Sequence, residues 1–252
     1  SFYWIVSRWA DENGFERKRN FMIQISNLSK KYGETVVFSD LNYTFENACI
    51  YGLVGRNGAG KTTLLNILSN YDKNYTGVIS IDRKKMNKVD YLDMPVAYAM
   101  DQPSFFNELT IYENLLLIAS SRKIKKQEAF DKIERILDGL GLKKYENYSP
   151  LELSKGTMQR LNNACAMIQE EKITIFDEPF SGLDPVQMKL LENVIVEFHK
   201  KEKGIYIISS HDIECLQNVC DKCLLLHNGQ IREINMEEVD REEIAKILSE
   251  GE

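Results

Sequence analysis

The residues from Gly55 to Thr63 have the types and spacing of a phosphate-binding loop. They match the pattern G-x-x-x-x-G-K-[ST] and follow an apolar, strand-like run, Cys49–Val54, with helically spaced leucines after them. Glycines let the backbone turn so that successive N–H groups face one anion at a helix end. The alternative is a glycine-rich turn without a ligand. We expect phosphate contacts from Gly55, Arg56, Asn57, Gly58, Ala59, Gly60, Lys61, Thr62 and Thr63.

Four side chains add the chemistry that a backbone loop lacks. Lys61 supplies a positive charge for the β- and γ-phosphates of a nucleotide, and Thr62 supplies a hydroxyl oxygen to Mg²⁺. Asp177 and Glu178 directly follow the apolar run Ile173–Phe176, where strand ends of a parallel sheet form a ligand crevice. We expect Asp177 to bind Mg²⁺ and Glu178 to activate the attacking water. Alone, such an acidic pair is typical of a solvated loop; the phosphate loop upstream favours catalysis.

Short apolar runs alternate with helical patterns along most of the chain. Lys172–Phe176 precedes a helical stretch at Pro185–Lys200, and Gly204–Ser209 precedes another at Asp212–Val219. This alternation predicts right-handed crossovers and a mainly parallel sheet. Residues 103–170 carry almost only helical periods, so we expect a helical insertion there. These periods are Ile111–Ser120, Lys126–Leu140 and Thr157–Gln169.

The two ends of the sequence differ from its centre. Residues 1–21 hold both tryptophans and a basic cluster, and we interpret them as an added or upstream segment with Met22 as the natural start. A real extension that faces a partner is the alternative. Residues 22–252 are then one domain. Near its end, Asn228–Gly229 predicts a tight hairpin turn, and Glu238–Leu248 predicts a short acidic helix.

Composition excludes several classes of protein. Of the 252 residues 43% are hydrophobic and 28% charged, which is ordinary for a folded chain and unlike a disordered one. The net charge of −6 repels phosphate polymers, so we expect no nucleic-acid partner. No apolar run approaches the roughly 20 residues of a membrane span. Five cysteines, an odd number, favour free thiols in a reducing compartment, so we predict a cytoplasmic protein.

A stretch rich in cysteine and histidine offers a rival chemistry. His211, Cys215, Cys220, Cys223 and His227 fall within 17 positions, as zinc or iron–sulfur ligands could. Cys220 and Cys223 are spaced as C-x-x-C, but no second pair follows, and the spacing spans a helix end and a strand start. We therefore predict ordinary thiols.

The motifs together resemble those of one family, the nucleotide-binding subunits of ATP-binding cassette (ABC) transporters. Leu153–Arg160 is similar to the family signature L-S-G-G-Q-x-Q-R. It keeps Ser154 and Gly156 and the final Gln-Arg pair, and it departs at Lys155 and Thr157. This signature separates the family from other phosphate-loop ATPases, so the resemblance implies an ATPase that binds ATP and Mg²⁺.

The resemblance also assigns roles outside the phosphate loop. It implies that Gln102 links the Mg²⁺ site to the helical insertion, that His211 contacts the γ-phosphate, and that Tyr32 stacks on adenine. The loop Ser181–Asp184 would meet a partner subunit. The resemblance covers about residues 23–232. It implies an α/β P-loop NTPase fold with a mainly parallel core sheet, an N-terminal antiparallel β subdomain and a helical insertion.

The signature implies that one chain is not sufficient. Ser154 and the N–H of Gly156 lie at the start of a predicted helix, so they form a second anion-binding helix end. In the family this end lies far from its own phosphate loop, so it would complete the ATP site of a second nucleotide-binding subunit. We expect a homodimer around two ATP molecules, bound to separate transmembrane permease subunits. The chain would then lie on the cytoplasmic face of the membrane through those partners.

The direction of transport is the least determined expectation. The Leu-Ser-Lys-Gly form of the signature, and the absence of a long regulatory region after the cassette, resemble stand-alone exporter cassettes. An importer cassette and a soluble ABC-type ATPase without a membrane partner, of the iron–sulfur assembly type, are the alternatives. Phe105 and Phe106, just after Gln102, belong either to the core or to a groove that contacts a permease.

Overall fold

A computed structural model describes residues 21–89 and 93–235 of the chain, which form two β-sheets and six α-helices. The predicted helix at Glu238–Leu248 and residues 1–20 of the predicted extension lie outside the described residues. Phe21, just before the predicted start, is buried in the same core as Ile23. The division of the chain at residue 22 stays a prediction.

The N-terminal sheet is antiparallel, as predicted. Its strands are β1 (Met22–Tyr32), β2 (Thr35–Glu46), β4 (Thr76–Ile81) and β5 (Lys84–Lys85), in the order β2-β1-β4-β5. Ile23 and Ile25 are fully or almost fully buried and Gln24 is exposed, because successive side chains of a strand point to opposite faces. The sheet therefore presents one apolar face to the core.

The second sheet is mainly parallel, which confirms the prediction. Its strands are β3 (Cys49–Val54), β6 (Val96–Ala99), β7 (Ile173–Phe176), β8 (Ile205–Ser210), β9 (Lys222–His227) and β10 (Gln230–Ile234), in the order β10-β9-β3-β8-β7-β6. Only β10 is antiparallel to its neighbour. Every residue of β3, β7 and β8 is buried, because strands covered on both faces are apolar throughout.

The helices connect these strands. They are α1 (Lys61–Leu68), α2 (Ile111–Ser121), α3 (Lys126–Gly139), α4 (Lys155–Met167), α5 (Pro185–Glu202) and α6 (Glu214–Gln217). Three of them, α2 to α4, lie between β6 and β7 and form the helical insertion that was predicted. Thr110 begins α2 with a capping box to Glu113. Helix α6 is shorter than the predicted Asp212–Val219. Short 3-10 turns lie at Met86–Lys88, Lys143–Tyr145 and Pro150–Glu152.

Apolar layers cover both faces of the parallel sheet. On one face Tyr51 and Leu53 pack with α1 and the antiparallel sheet, and on the other Ile50 and Val54 pack with helices α2 to α5. The loop after β3 is therefore fixed between two cores. None of the helices in residues 21–89 and 93–235 is long and apolar enough to cross a bilayer.

Candidate functional site

The phosphate loop leaves β3 at Val54 and enters α1 at Lys61. Gly58 and Gly60 have φ angles of 81° and 101°, in the left-handed region that residues with a side chain rarely adopt. A β-carbon on Gly60 would lie 2.7 Å from Val37 Cγ1. The loop thus needs glycine at both positions, and it has the strand–turn–helix context that the sequence predicted.

Lys61 points back into its own loop. Its Nζ donates to the carbonyl oxygen of Gly55 at 2.7 Å and lies 3.4 Å from that of Arg56. It is also 3.4 Å from Glu178 Oε1, and only 7% of the side chain is exposed. A phosphate that enters the loop therefore meets an ammonium group that is already in place.

Asp177 lies at the end of β7 and is 1% exposed. Its Oδ1 accepts a hydrogen bond from Ser209 Oγ at 2.6 Å, the hydroxyl of Thr62 is a second partner, and Tyr98 OH lies 3.5 Å from Oδ2. Burial raises the pKa of the Asp177 carboxyl, and the hydrogen bonds from Ser209 and Thr62 oppose that rise. The neighbouring α1 and β8 thus fix this carboxylate.

The oxygen atoms around Asp177 suit a hard divalent cation. A carboxylate and a threonine hydroxyl are ligands that Mg²⁺ accepts in proteins, and Thr62 and Asp177 are already in contact. A cation would offset the cost of burying this charge. Gln102, the third predicted ligand, lies in the exposed loop between β6 and α2. Among the described contacts none joins it to Thr62 or Asp177.

Glu178 is held between a lysine and a histidine. Its Oε2 lies 3.0 Å from His211 Nδ1, and its Oε1 faces Lys61 Nζ. The backbone N–H of Glu178 donates to Ser209 Oγ at 2.9 Å. Its φ of 48° is rare for a residue with a side chain, and such conformations cost energy that the surrounding contacts must supply. The carboxylate thereby has a fixed direction beside the phosphate loop.

Tyr32 ends β1 and is 53% exposed. Its hydroxyl lies 3.2 Å from Asp72 Oδ2, and Lys30 Nζ is 4.5 Å from the ring centroid. Lys30 also pairs with Asp72 at 2.7 Å. A ring that is exposed and anchored in this way can offer a flat surface to an aromatic ligand.

A cleft of about 470 Å³ lies beside the phosphate loop. It is lined by Thr35, Val36, Val37, Ser39, Arg56, Gly58, Ala59, His227, Asn228 and Gly229. The contributions from β2 and from the hairpin turn before β10 were not predicted, because they depend on how the two sheets pack. No short motif in the sequence indicates them.

The signature residues begin α4, which starts at Lys155, two residues before the predicted Thr157. Ser154 is the N-cap of this helix, and its Oγ accepts from Thr157 N at 3.3 Å. A β-carbon on Gly156 would lie 2.9 Å from the carbonyl oxygen of Gly182. The signature thus packs against the predicted partner-facing loop of the same chain, and only glycine fits there.

Ser154 opens onto a second cleft, of about 450 Å³, which the phosphate loop does not line. The lining residues are Asp138, Gly141, Lys143, Lys144, Tyr145, Ser154, Thr157, Arg160, Gln187 and Leu190. The structure therefore brings Lys61, Thr62, Asp177, Glu178 and His211 together and places the signature in a different cleft.

One contact joins the two parts. Gln159, in the second turn of α4, donates through Nε2 to the carbonyl oxygen of Glu178 at 3.3 Å. Neither this contact nor the role of Ser209 was predicted from the sequence. A polar residue at the end of β8, directly before Ser210 and His211, was the available signal for Ser209.

The cysteines lie apart from this chemistry. Burial raises the pKa of Cys223 and of Cys215 to about 12 and that of Cys49 to about 11, so these thiols stay protonated at neutral pH. Within the part of the chain that the structure describes, no three His, Cys, Asp or Glu residues are grouped as metal ligands.

Known proteins share this sequence and this fold. The model of a family described as "ABC transporter" matches residues 38–181. The bacitracin transport ATP-binding protein of Enterococcus faecalis is 30% identical over 88% of this chain and 71% of its own length. The tungstate uptake system ATP-binding protein of Peptoclostridium acidaminophilum is 30% identical, over 84% of this chain and 97% of its own length. A solved ATP-binding subunit of an ABC transporter superposes with a TM-score of 0.78 at 27% identity, covering 88% of this chain and 92% of that one.

Proposed function

This chain belongs to the ABC transporter family as an ATP-binding ATPase subunit, and we propose that two copies close around two ATP molecules to move membrane-spanning partners. The observation that carries the proposal is the convergence of Lys61, Asp177 and Glu178 at the carboxyl ends of β3 and β7. In the proposal, Lys61 binds phosphate, Asp177 binds the metal ion and Glu178 is the base, and these three side chains lie close to one another.

The nucleotide would lie along the phosphate loop. Backbone N–H groups of Gly55–Thr63 and the N-terminus of α1 face its phosphates, and Lys61 adds a charge that the carbonyl oxygen of Gly55 already orients. Tyr32, exposed at the end of β1, would stack on the adenine. These contacts explain binding by one copy alone.

Thr62 and Asp177 would hold Mg²⁺, and Gln102 would join them after its loop moves. When bound, the cation neutralises charge on the phosphate oxygens as the terminal phosphoryl group transfers. The chain prepares this site in advance, because Ser209 fixes the Asp177 carboxylate at 2.6 Å.

Glu178 is our candidate for the general base. Its carboxylate would take a proton from a water molecule whose oxygen bonds to the γ-phosphorus, while the bond to the bridging oxygen breaks and ADP leaves. His211, 3.0 Å from that carboxylate, would keep it in place and contact the γ-phosphate. Lys61 Nζ faces the other carboxylate oxygen of Glu178 at 3.4 Å. The ammonium group would therefore contact both the nucleotide and the base.

The second copy would complete the site through its signature. Ser154 and the N–H of Gly156 stand at an exposed helix end whose cleft contains no residue of its own phosphate loop. A helix N-terminus binds anions through free N–H groups and its dipole. A head-to-tail pair with two-fold symmetry places this end on the γ-phosphate of the other copy.

An exposed apolar patch supports a membrane-bound partner. Phe106, Tyr148 and Leu151 are 59%, 44% and 74% exposed, whereas Phe105 packs against the core. A hydrogen bond from Ser149 Oγ to the carbonyl oxygen of Asn107 joins the two segments that carry the exposed side chains. Grouped apolar side chains of this size are typical of binding surfaces. We propose that a permease binds here, on the cytoplasmic face of the membrane.

For direction, we propose export, on the form of the signature at Leu153–Gly156. One relative is named for tungstate uptake and another for bacitracin transport, so import is the second candidate. An ATPase without a membrane partner is the third, and the exposed patch at Phe106 argues against it.

Two measurements test the proposal. Hydrolysis of Mg²⁺-ATP by the purified chain should rise more than in proportion to protein concentration and stop with a chelator, because the active form is a pair. A rate per molecule that is independent of concentration down to the nanomolar range would contradict the shared site. Purification from detergent-solubilised membranes should recover a protein with several membrane spans, and recovery of the chain alone would remove the permease from the proposal.

A further inference from the structure

Three residues at the start of α4 form a continuous chain of hydrogen bonds. Arg160 Nη2 donates to Thr157 Oγ1 at 3.2 Å, and Thr157 Oγ1 lies 2.9 Å from Ser154 Oγ. The backbone N–H of Thr157 also donates to Ser154 Oγ, at 3.3 Å. The signature serine thus has two contacts to Thr157, the residue at which the sequence departs from the family signature.

Either hydroxyl can donate across the contact between Ser154 and Thr157, and a phosphate partner for Ser154 selects one of the two directions. An arginine guanidinium can only donate, so Thr157 Oγ1 accepts from Arg160 and its own hydrogen is available for Ser154. When Thr157 donates, Ser154 Oγ accepts two hydrogen bonds, one from the hydroxyl and one from the N–H of Thr157. Both lone pairs of Ser154 Oγ are then occupied, and its own hydrogen is free for a partner beyond the helix end. A serine in this state is a donor, which is what a phosphate oxygen requires.

Burial makes the arrangement rigid. Thr157 is 3% and Arg160 is 5% exposed. The guanidinium also donates to the carbonyl oxygen of Leu140 at 2.7 Å and contacts those of Gly141 and Gly156 at 3.3 and 3.4 Å. Three contacts to backbone carbonyl oxygens leave the guanidinium little freedom to rotate. An ordinary N-cap serine, held by one N–H, keeps a hydroxyl that rotates.

We propose that Thr157 is a positioning residue that fixes the Ser154 hydroxyl as a hydrogen-bond donor to the γ-phosphate of ATP held by a second copy of the chain. This inference rests on the proposed function, since it concerns the half of the ATP site that the signature supplies. Thr157 is 3% exposed, so we do not expect it to contact the nucleotide itself. It acts through Ser154. Arg160 fixes its position, because the same guanidinium also contacts the carbonyl oxygen of Leu140, at the end of α3.

The test compares Thr157→Val, which keeps the shape and removes the hydroxyl, with Thr157→Ser, which keeps the hydroxyl. In the Glu178→Gln background, size-exclusion chromatography measures how much ATP closes the pair, and a fluorescent ATP analogue measures binding to dilute, single copies. We expect Thr157→Val to need about tenfold more ATP for closure, the effect of one lost hydrogen bond to a charged group. Binding to single copies should not change, and Thr157→Ser should close like the parent.

The kinetic counterpart separates positioning from general damage. With Glu178 intact, Thr157→Val should lower kcat/KM for ATP about tenfold, and Thr157→Ser should restore it. Equal closure and equal kcat/KM for Thr157→Val and the parent would overturn the positioning role. If the valine variant does not fold, Thr157→Ala, which favours the helix, takes the same measurements with the same expected results.

Ser154→Ala distinguishes the two proposals. If it closes the pair as well as the parent does, the signature is not part of the ATP site and the proposed function fails. If Ser154→Ala loses closure while Thr157→Val keeps it, only the positioning role of Thr157 is wrong.

Discussion

The phosphate loop and the signature end of this chain hold their polar side chains in opposite ways. Around the phosphate loop the contacts join distant parts of the sequence, since Lys61 reaches Glu178 and Ser209 reaches Asp177. At the signature end the contacts of Ser154 stay within one turn of helix. The polar contacts of the phosphate loop are thus made by the fold, whereas those of Ser154 are local.

This difference corresponds to the two tasks of the site. In the proposed pair, the phosphate loop binds nucleotide within one copy, and its candidate cation, metal ligands and base are fixed by the core. The signature would meet a nucleotide only when a second copy approaches, so it would need an exposed end with a preset donor. Each copy would then carry one half of two different sites, and the variants below separate those halves.

The largest effect is expected at the base. Glu178→Gln should lower ATP turnover by about 10²–10⁴-fold, because the amide cannot accept the proton of water. ATP should still bind, and the variant should elute as a dimer in its presence. Exposed Glu197, changed to Gln as the control, should keep wild-type turnover. Unchanged turnover in Glu178→Gln would reject the assigned base.

A mixing experiment tests the halves directly. Lys61→Ala removes the cation of one half and Ser154→Arg blocks the other, and each variant alone should lose turnover at least about 10²-fold. Mixed in equal amounts they should recover roughly a quarter of wild-type turnover, since half of random pairs are mixed and each holds one intact site. A mixture no more active than its components would contradict a site shared between copies.

A smaller effect is expected where the signature packs on its own chain. Gly156→Ala places a β-carbon 2.9 Å from the carbonyl oxygen of Gly182 and 3.1 Å from Gln187 Oε1. We expect ATP-induced pairing to weaken about tenfold and the free energy of unfolding to fall by about 1–3 kcal/mol. Analytical ultracentrifugation and urea unfolding measure the two quantities. A fully stable variant that pairs normally would show that the loop yields easily.

The smallest change in stability is expected at Asp177, the buried candidate metal ligand. Burial raises the pKa of Asp177 in the folded state, so the folded state binds this proton more tightly than the unfolded state does. The free energy of unfolding that Asp177 contributes therefore falls as the pH rises through its folded-state pKa. Without Mg²⁺ at neutral pH, Asp177→Asn should therefore raise the unfolding midpoint by roughly 2–4 °C, while turnover is lost. Calorimetry at pH 5 and pH 8 should show the larger gain at pH 8. A variant less stable than the parent at both pH values would contradict this cost.

Local patterns were enough to predict the phosphate loop. The buried run Cys49–Val54, the glycines and the helix after Lys61 are each encoded within a few residues, and the structure has them in that order. Strands β2 and β4 were not predicted individually. In β2, residues such as Val36 are exposed and Asp40 has a φ of 51°, so the strand lacks a clean alternation.

Contacts between distant residues could not be predicted from the sequence. Ser209 reaches Asp177 only because β7 lies beside β8, and Tyr98 reaches it only because β6 is the next strand. The bond from Arg160 to Thr157 spans three residues, yet it needs the carbonyl oxygen of Leu140 to hold the guanidinium. These contacts depend on the order of the strands and on helix packing, and short sequence motifs predict neither.

The hydrogen bond from Gln159 to the backbone of Glu178 couples the signature helix to the candidate base of the same chain. Helix α4 begins at the end proposed to meet the neighbour's nucleotide, and one turn later it holds the residue proposed to consume the chain's own. In the proposed pair, a shift of this helix after hydrolysis of the neighbour's nucleotide would reach Glu178 of the same chain through Gln159. Such a link would favour hydrolysis at the two sites one after the other.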